Sequence, residues 1–347
     1  MDNLGTMEEL PKDYQDEMER TLVHPLWPLL RNTLPPHKPN SVTQSHNWAY
    51  KDVRPLLMRA GELTPVEKAE RRVLMLSDPG RGAGAMQATA TIYAGLQLLL
   101  PGERAPSHRH TPSAARIIVE GEGAYTVVDG ERLPMEMGDV VLTPGGAWHD
   151  HGHDGAEPVI WLDALDLPLF ARLEASYGEE GDFLAQRNRP DASQLEFAAS
   201  GLLPTNRNAP EVEPKAKMLR YPWKRSEEAL RNLAEHADEG EAIELDYVKP
   251  GTSDSCLAVL GFTATMLRKG DPVRQKVRSS SAVFHVVKGQ GTSVIDGKTI
   301  EWSDKDTFSA PVFAEIDHEA AEDAFLIRIH DAPLQQKLEF YEERPRS

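Results

Sequence analysis

The chain has 347 residues and a formal net charge of −17, a length that suggests two domains. So acidic a chain speaks against a nucleic-acid partner, which needs a basic face to neutralise phosphate, and against docking on anionic membrane. Cys256 is the only cysteine, which rules out an intrachain disulfide and a cysteine metal cluster. No apolar run is long enough to span a bilayer, and the first 25 residues are too acidic for a transit peptide and lack the apolar core of a signal peptide. A reducing, cytoplasmic setting is the expectation that follows.

In chain order, residues 7–22 carry apolar side chains at three-to-four spacing among acids and predict a helix, broken by Pro25, Pro28, Pro35 and Pro36. A second short helix is expected over Val53–Leu63. From about Ala88 the texture turns β-rich: residues 89–100, 115–120, 124–128, 140–143 and 159–165 read as strands, punctuated by glycine and proline. Asp129-Gly130 is a two-residue hairpin signal. Residues 170–245 are mixed and polar. The stretches 187–191 and 204–210 read as loop, and 226–235 as a helix capped by Ser226. A second β-rich stretch runs from about 257 to 329.

The second stretch repeats the first at an offset of 167–168. Ile118–Tyr125 matches Val286–Ser293, with Gly121 and Gly123 on Gly289 and Gly291, and Val128-Asp129-Gly130 matches Ile295-Asp296-Gly297. Trp48 and its helix match Trp223 and its helix. One fold used twice is the economical reading. The expected fold class is mainly β, with closely spaced antiparallel strands forming a sandwich or barrel in each repeat. The division expected is 1–87, an N-terminal helical and irregular segment; 88–170, the first barrel; 171–255, a linker with a helix; and 256–347, the second barrel.

Five of the twelve histidines lie between positions 108 and 153. His108 and His110, expected at a strand start, share a face because side chains two apart on a strand point the same way. His149 arrives after the hairpin, on the turn 144–149, and His151 and His153 continue the alternation. Three neutral imidazoles suit a borderline divalent ion such as Fe, Zn, Cu or Ni and leave coordination positions open for a chelating substrate and dioxygen. In the second repeat, His108 maps to Lys276, His110 to Arg278 and His149 to Ile316. Two cations and an apolar residue cannot hold a divalent metal, so one metal per chain is expected.

The spacing Gly102-x5-His108-x-His110-x3-Ala114-x6-Gly121, followed by Gly138-x5-Pro144-x-Gly146-x2-His149, resembles both cupin motifs. Ala114 stands where most cupins place a glutamate ligand. With Glu70–Leu74, Tyr93–Gln97, 101–110, Ala115-Arg116, 148–152 and Trp161-Leu162-Asp163, the chain is similar to the gentisate 1,2-dioxygenase family and its salicylate and 1-hydroxy-2-naphthoate relatives. The resemblance implies two tandem cupin barrels and one Fe(II) held by His108, His110 and His149. It also implies an aromatic acid and O2 as substrates, ring cleavage of gentisate to maleylpyruvate, and a homotetramer. It makes His151, Arg116 and Asp163 catalytic, Arg116 by pairing with the substrate carboxylate, and adds Arg72, Gln97, Tyr93 and Gly95 as pocket residues. Salicylate or 1-hydroxy-2-naphthoate is the alternative substrate. A non-redox metal isomerase and a non-catalytic binding bicupin are readings of another class.

Overall fold

Short runs of β-branched and apolar residues cannot bury themselves singly, so they pair into sheets that close over shared cores. A computed structural model describes residues 4–182, 190–197 and 218–346. Of the two expected loops, only Pro190-Asp191 falls among these; 187–189 and 204–210 lie outside them. Residues 1–42 form a unit of their own, with helices α1 (Lys12–Arg20) and α2 (Leu30–Thr33). The first helix is thus shorter than 7–22.

The rest, from Thr43 on, is a second unit. Its first half holds β1 (Asn47–Trp48), α3 (Tyr50–Leu63), α4 (Val66–Ala69), β2 (Val73–Met75), β3 (Tyr93–Leu99), β4 (Arg104–His110) and β5 (Ala114–Glu120). It continues with β6 (Ala124–Val128), β7 (Glu131–Pro134), β8 (Val140–Thr143), β9 (His149–His153), β10 (Val159–Leu165), α5 (Leu167–Arg172), β11 (Gly178–Glu180) and α6 (Ala192–Phe197). The second half holds β12 (Arg220–Tyr221), α7 (Trp223–Ala234), β13 (Ile243–Asp246), β14 (Gly261–Leu267), β15 (Val273–Arg274), β16 (Val277–Arg278) and β17 (Ala282–Lys288). It ends with β18 (Gly291–Ile295), β19 (Lys298–Trp302), β20 (Thr307–Ala310), β21 (Ile316–Ala320), β22 (Ala324–His330), α8 (Ala332–Lys337) and β23 (Glu343–Arg344).

The repeat is plain in the sheets. One runs β12-β8-β5-β10-β3-β2 and its counterpart β1-β20-β17-β22-β14-β13. Each closes over a smaller sheet, β11-β4-β9-β6-β7 in the first barrel and β15-β21-β18-β19 in the second. The hairpins β6–β7 and β18–β19 turn on Asp129-Gly130 and Asp296-Gly297, both residues of each pair at positive φ as the sequence signal required.

The edge strands are exchanged. β1, which precedes the first barrel, pairs with β20 of the second, while β12, which precedes the second, pairs with β8 of the first. The same device fixes both arms: Tyr50 N–H donates to Asp306 (2.7 Å) and Trp223 N–H to Asp139 (2.8 Å). Trp223 is therefore the counterpart of Tyr50, and Trp48 that of Tyr221, which corrects the pairing of Trp48 with Trp223. Gly291 is also reassigned. It opens β18 opposite Ala320, where Ala124 opens β6 opposite His153, because the turn 121–123 is one residue longer than 289–290. Helix α7 starts at Trp223 behind Pro222, so Ser226 is not its cap; the Ser226 hydroxyl instead bonds Tyr247 (3.0 Å). Helix α3 starts three residues earlier than expected, at Tyr50.

Candidate metal centre

His108 and His110 sit at the end of β4, not its start, and His149 opens β9. In the β4–β9 ladder His108 pairs with His149 and Ala105 with His151, with a bulge between Ala105 and His108. The extra residue resets the alternation so that His108 and His110 share the inner face with His149 and His151. Ring centroids of His108 and His149 are 4.1 Å apart, and those of His110 and His149 4.9 Å. One ring nitrogen from each of the three falls within 4.8 Å of the others, the one metal-competent His, Cys, Asp or Glu group among the described residues.

The tautomers suit ligation. His110 Nδ1 faces the Pro112 carbonyl (2.7 Å) and His149 Nδ1 the Ala147 carbonyl (3.0 Å). A carbonyl only accepts, so both Nδ1 atoms carry hydrogen and both Nε2 lone pairs are left for a metal. His149 Nε2 is buried with no hydrogen-bond partner, which is what a metal-ligating atom looks like without its ion. Burial holds all three imidazoles below their ordinary range; for His149 the next contribution is the positive charge of Arg116.

The facing sheet supplies the rest. Arg116 and Asp163 are register partners across β5–β10, and Asp163 is opposite Gly95 across β10–β3. Arg116 Nη1 donates to Thr143 (2.6 Å) and its Nε lies 3.4 Å from Asp163. Burial raises Asp163 to about 6, a rise that Arg116 limits. Arg116 reaches this wall from β5, after a turn, so its six-residue spacing from His110 along one strand is not what brings it there. His151 stands 5.4 Å from Trp161, ring to ring, and joins the two walls. Its Nδ1 bonds Thr126 (2.9 Å), whose hydroxyl donates to Met135 Sδ (3.4 Å). Thr126 therefore accepts from Nδ1–H, and the buried, unpartnered Nε2 presents a lone pair.

Tyr93, Gly95 and Gln97 alternate along one face of β3, with Gln97 opposite Trp161. A Cβ on Gly95 would come within 2.6 Å of Val73 and 2.9 Å of the Tyr93 hydroxyl, so glycine is what lets those groups close up. Arg72 is not brought to the imidazoles: it is buried in an ion pair with Glu103. Its neighbour Arg71 is brought there, lying against His108 Nδ1 while donating to the Pro106 carbonyl (2.8 Å). No spacing rule distinguishes two adjacent arginines, and Arg71 was missed for that reason, as were Thr126 and Thr143.

The second barrel has lost this chemistry position by position. Phe284 takes the place of Arg116 and Arg328 that of Asp163, again as register partners. Phe284, Phe308 and Trp302 stack through the interior. Lys276 and Arg278 pair with Glu343.

Residues 95–165 match the cupin domain family. A gentisate 1,2-dioxygenase from Ralstonia is 48% identical over 98% of this chain and 96% of its own length. The chain belongs to the gentisate 1,2-dioxygenase family. A 1-hydroxy-2-naphthoate 1,2-dioxygenase from Nocardioides is 35% identical over 86% of this chain and 78% of its own. A crystal structure of salicylate 1,2-dioxygenase from Pseudoaminobacter salicylatoxidans, an adduct with gentisate, superposes with a TM-score of 0.90 at 30% identity, covering 99% of this chain and 97% of that one. This member of the gentisate dioxygenase family is thus a bicupin enzyme of the ring-cleaving dioxygenase class, with a three-histidine group able to bind metal. No described helix is long and apolar enough to cross a membrane.

Proposed function

We propose that the chain is an Fe(II)-dependent gentisate 1,2-dioxygenase with one iron per chain, opening 2,5-dihydroxybenzoate between its carboxyl- and hydroxyl-bearing carbons to give maleylpyruvate. The observation that carries the metal assignment is the convergence of His108, His110 and His149 with the His149 Nε2 lone pair buried and unshared; the Ralstonia relative supports gentisate. Iron held there would supply open coordination positions and the redox chemistry that couples an electron-rich aromatic acid to dioxygen.

The chain's own residues do the rest. Arg116, buried beside the imidazoles, offers a guanidinium to the substrate carboxylate. Asp163 and Thr143 hold that guanidinium in place. His151 Nε2, kept as an acceptor by Thr126, takes a hydrogen bond or the proton from a ring hydroxyl. Arg71 adds positive charge on the His108 side of the pocket. Tyr93, Gly95 and Gln97 shape the β3 wall. A homotetramer is the assembly proposed, measurable by light scattering on the eluting protein.

Protein loaded anaerobically with Fe(II) should consume oxygen with gentisate and form a product absorbing in the near ultraviolet. Uptake with salicylate or 1-hydroxy-2-naphthoate and none with gentisate would move the substrate assignment. Turnover of any of the three without oxygen uptake would overturn the dioxygenase reading.

A further inference from the structure

Residues 1–42 fold as a unit without a core of their own. Met18 and Pro25 are the only buried residues among those described in it, although a short unit offsets the entropy of ordering chiefly by burying apolar surface. Its internal ties are polar: Gln15 Nε2 donates to the Met7 (2.9 Å) and Leu10 (2.8 Å) carbonyls, and Val23 N–H to the Met18 carbonyl (3.0 Å). Leu22 (94% exposed), Val23, Leu26, Trp27, Leu29 and Leu34 (67%) stand in water within a single short stretch of sequence. Eight of the nineteen large apolar side chains exposed among the described residues lie in this unit, which is about an eighth of the described chain. The other eleven are spread over residues 56–340. These exposures hold with the whole chain present, so the chain does not cover this face by itself.

We propose that a second copy of this chain covers the face 22–34, so that the N-terminal unit carries a subunit interface; the inference rests on the homo-oligomeric assembly proposed above. A unit near 40 residues usually holds its fold with a disulfide, a metal or association. This one contains no cysteine. The metal-competent histidine group lies outside it and is the only such group among the described residues. Association is what remains. The six side chains leave on the order of 600 Å² of apolar surface in water, the upper end of what a monomer shows and close to the roughly 800 Å² each partner contributes to a standard interface. Asp and Glu outnumber Lys and Arg in the unit by seven to four, which sets it against an anionic lipid surface. Identical copies are the usual partners in closed assemblies, and each supplies the same face once.

Light scattering and sedimentation of the full-length, iron-loaded protein over a dilution series give the test. Leu22→Glu combined with Leu26→Glu puts two charges into the apolar face. The pair should give a smaller assembly at equal concentration, with the subunit dissociation constant raised about tenfold or more, while circular dichroism reports an intact fold. Trp27→p-benzoylphenylalanine exchanges one aromatic for another, and on irradiation it should yield a product with the mass of two chains. A wild-type protein with the mass of one chain overturns the inference together with the assembly it rests on, and flotation of that single chain with phosphatidylcholine vesicles would give the face to lipid instead. An oligomeric wild type whose dissociation constant the paired substitutions move by less than tenfold overturns this inference alone. If the paired variant does not fold, the cross-link decides: no two-chain product overturns the inference.

Discussion

At the residue scale, a bulge and two backbone carbonyls convert histidine spacing into a converging group able to bind metal. His108→Ala removes one of the three proposed ligands, so iron content and oxygen uptake should fall together, read by metal analysis beside the oxygen electrode. Lys276→Ala touches only an exposed pair with Glu343 and should leave the iron stoichiometry unchanged. Arg116→Met should keep its iron and raise the KM for gentisate tenfold or more, about what one charge-assisted bond contributes. A parallel loss of iron would assign Arg116 to the metal site's architecture instead. The convergence of these three histidines was legible because motif spacing is a property of local sequence. Arg71 was not, since choosing it over Arg72 depends on the conformation at Glu70, a non-glycine residue at φ 56° just before the two arginines.

At the element scale, strand existence was readable from alternation and turn residues: the five runs expected in the first repeat are found as β3, β5, β6, β8 and β10. The exchange of β1 and β12 was not readable. Two-residue strands have no period, and pairing over about 260 residues for β1–β20 and about 80 for β12–β8 leaves no local trace. Gly138 shows how tightly one arm is held: it sits at φ 82°, and a Cβ there would come within 2.5 Å of the Trp223 ring. Gly138→Ala should therefore cost about 1–3 kcal/mol, from an unfavourable backbone conformation and a displaced tryptophan. Urea denaturation would measure it, and a loss under half a kcal/mol would mean that the arm contributes little.

Across the whole molecule, Glu120 is a junction between the halves. It accepts from Arg54 (2.6 Å) and from the Tyr50 hydroxyl (2.8 Å) on α3, and it pairs with Lys305 (3.4 Å) from the second repeat. Burial pushes this carboxyl up, but the bonds from Arg54 and Tyr50 and the charge of Lys305 outweigh it and bring it down to about 2. A carboxylate whose folded pKa is depressed stabilises the fold above its unfolded value, near 4.5, and that contribution fades as pH falls toward 2. Glu120→Gln should be less stable than the parent at pH 7, with the difference shrinking between about pH 4.5 and 2; a constant difference across that window would remove the junction's charge from the account.

The swapped edges also bear on why a barrel without metal ligands persists. Asp306 and β20 of the second half grip the segment that leads into α3, and α3 packs on β3 beside the wall that carries Gly95 and Gln97. A gene fragment encoding the half with the three-histidine group alone would leave one arm dangling and one seam of its own sheet unzipped. Neither half is a module that can be shed, and co-expressing the two as separate polypeptides should restore activity that each lacks by itself.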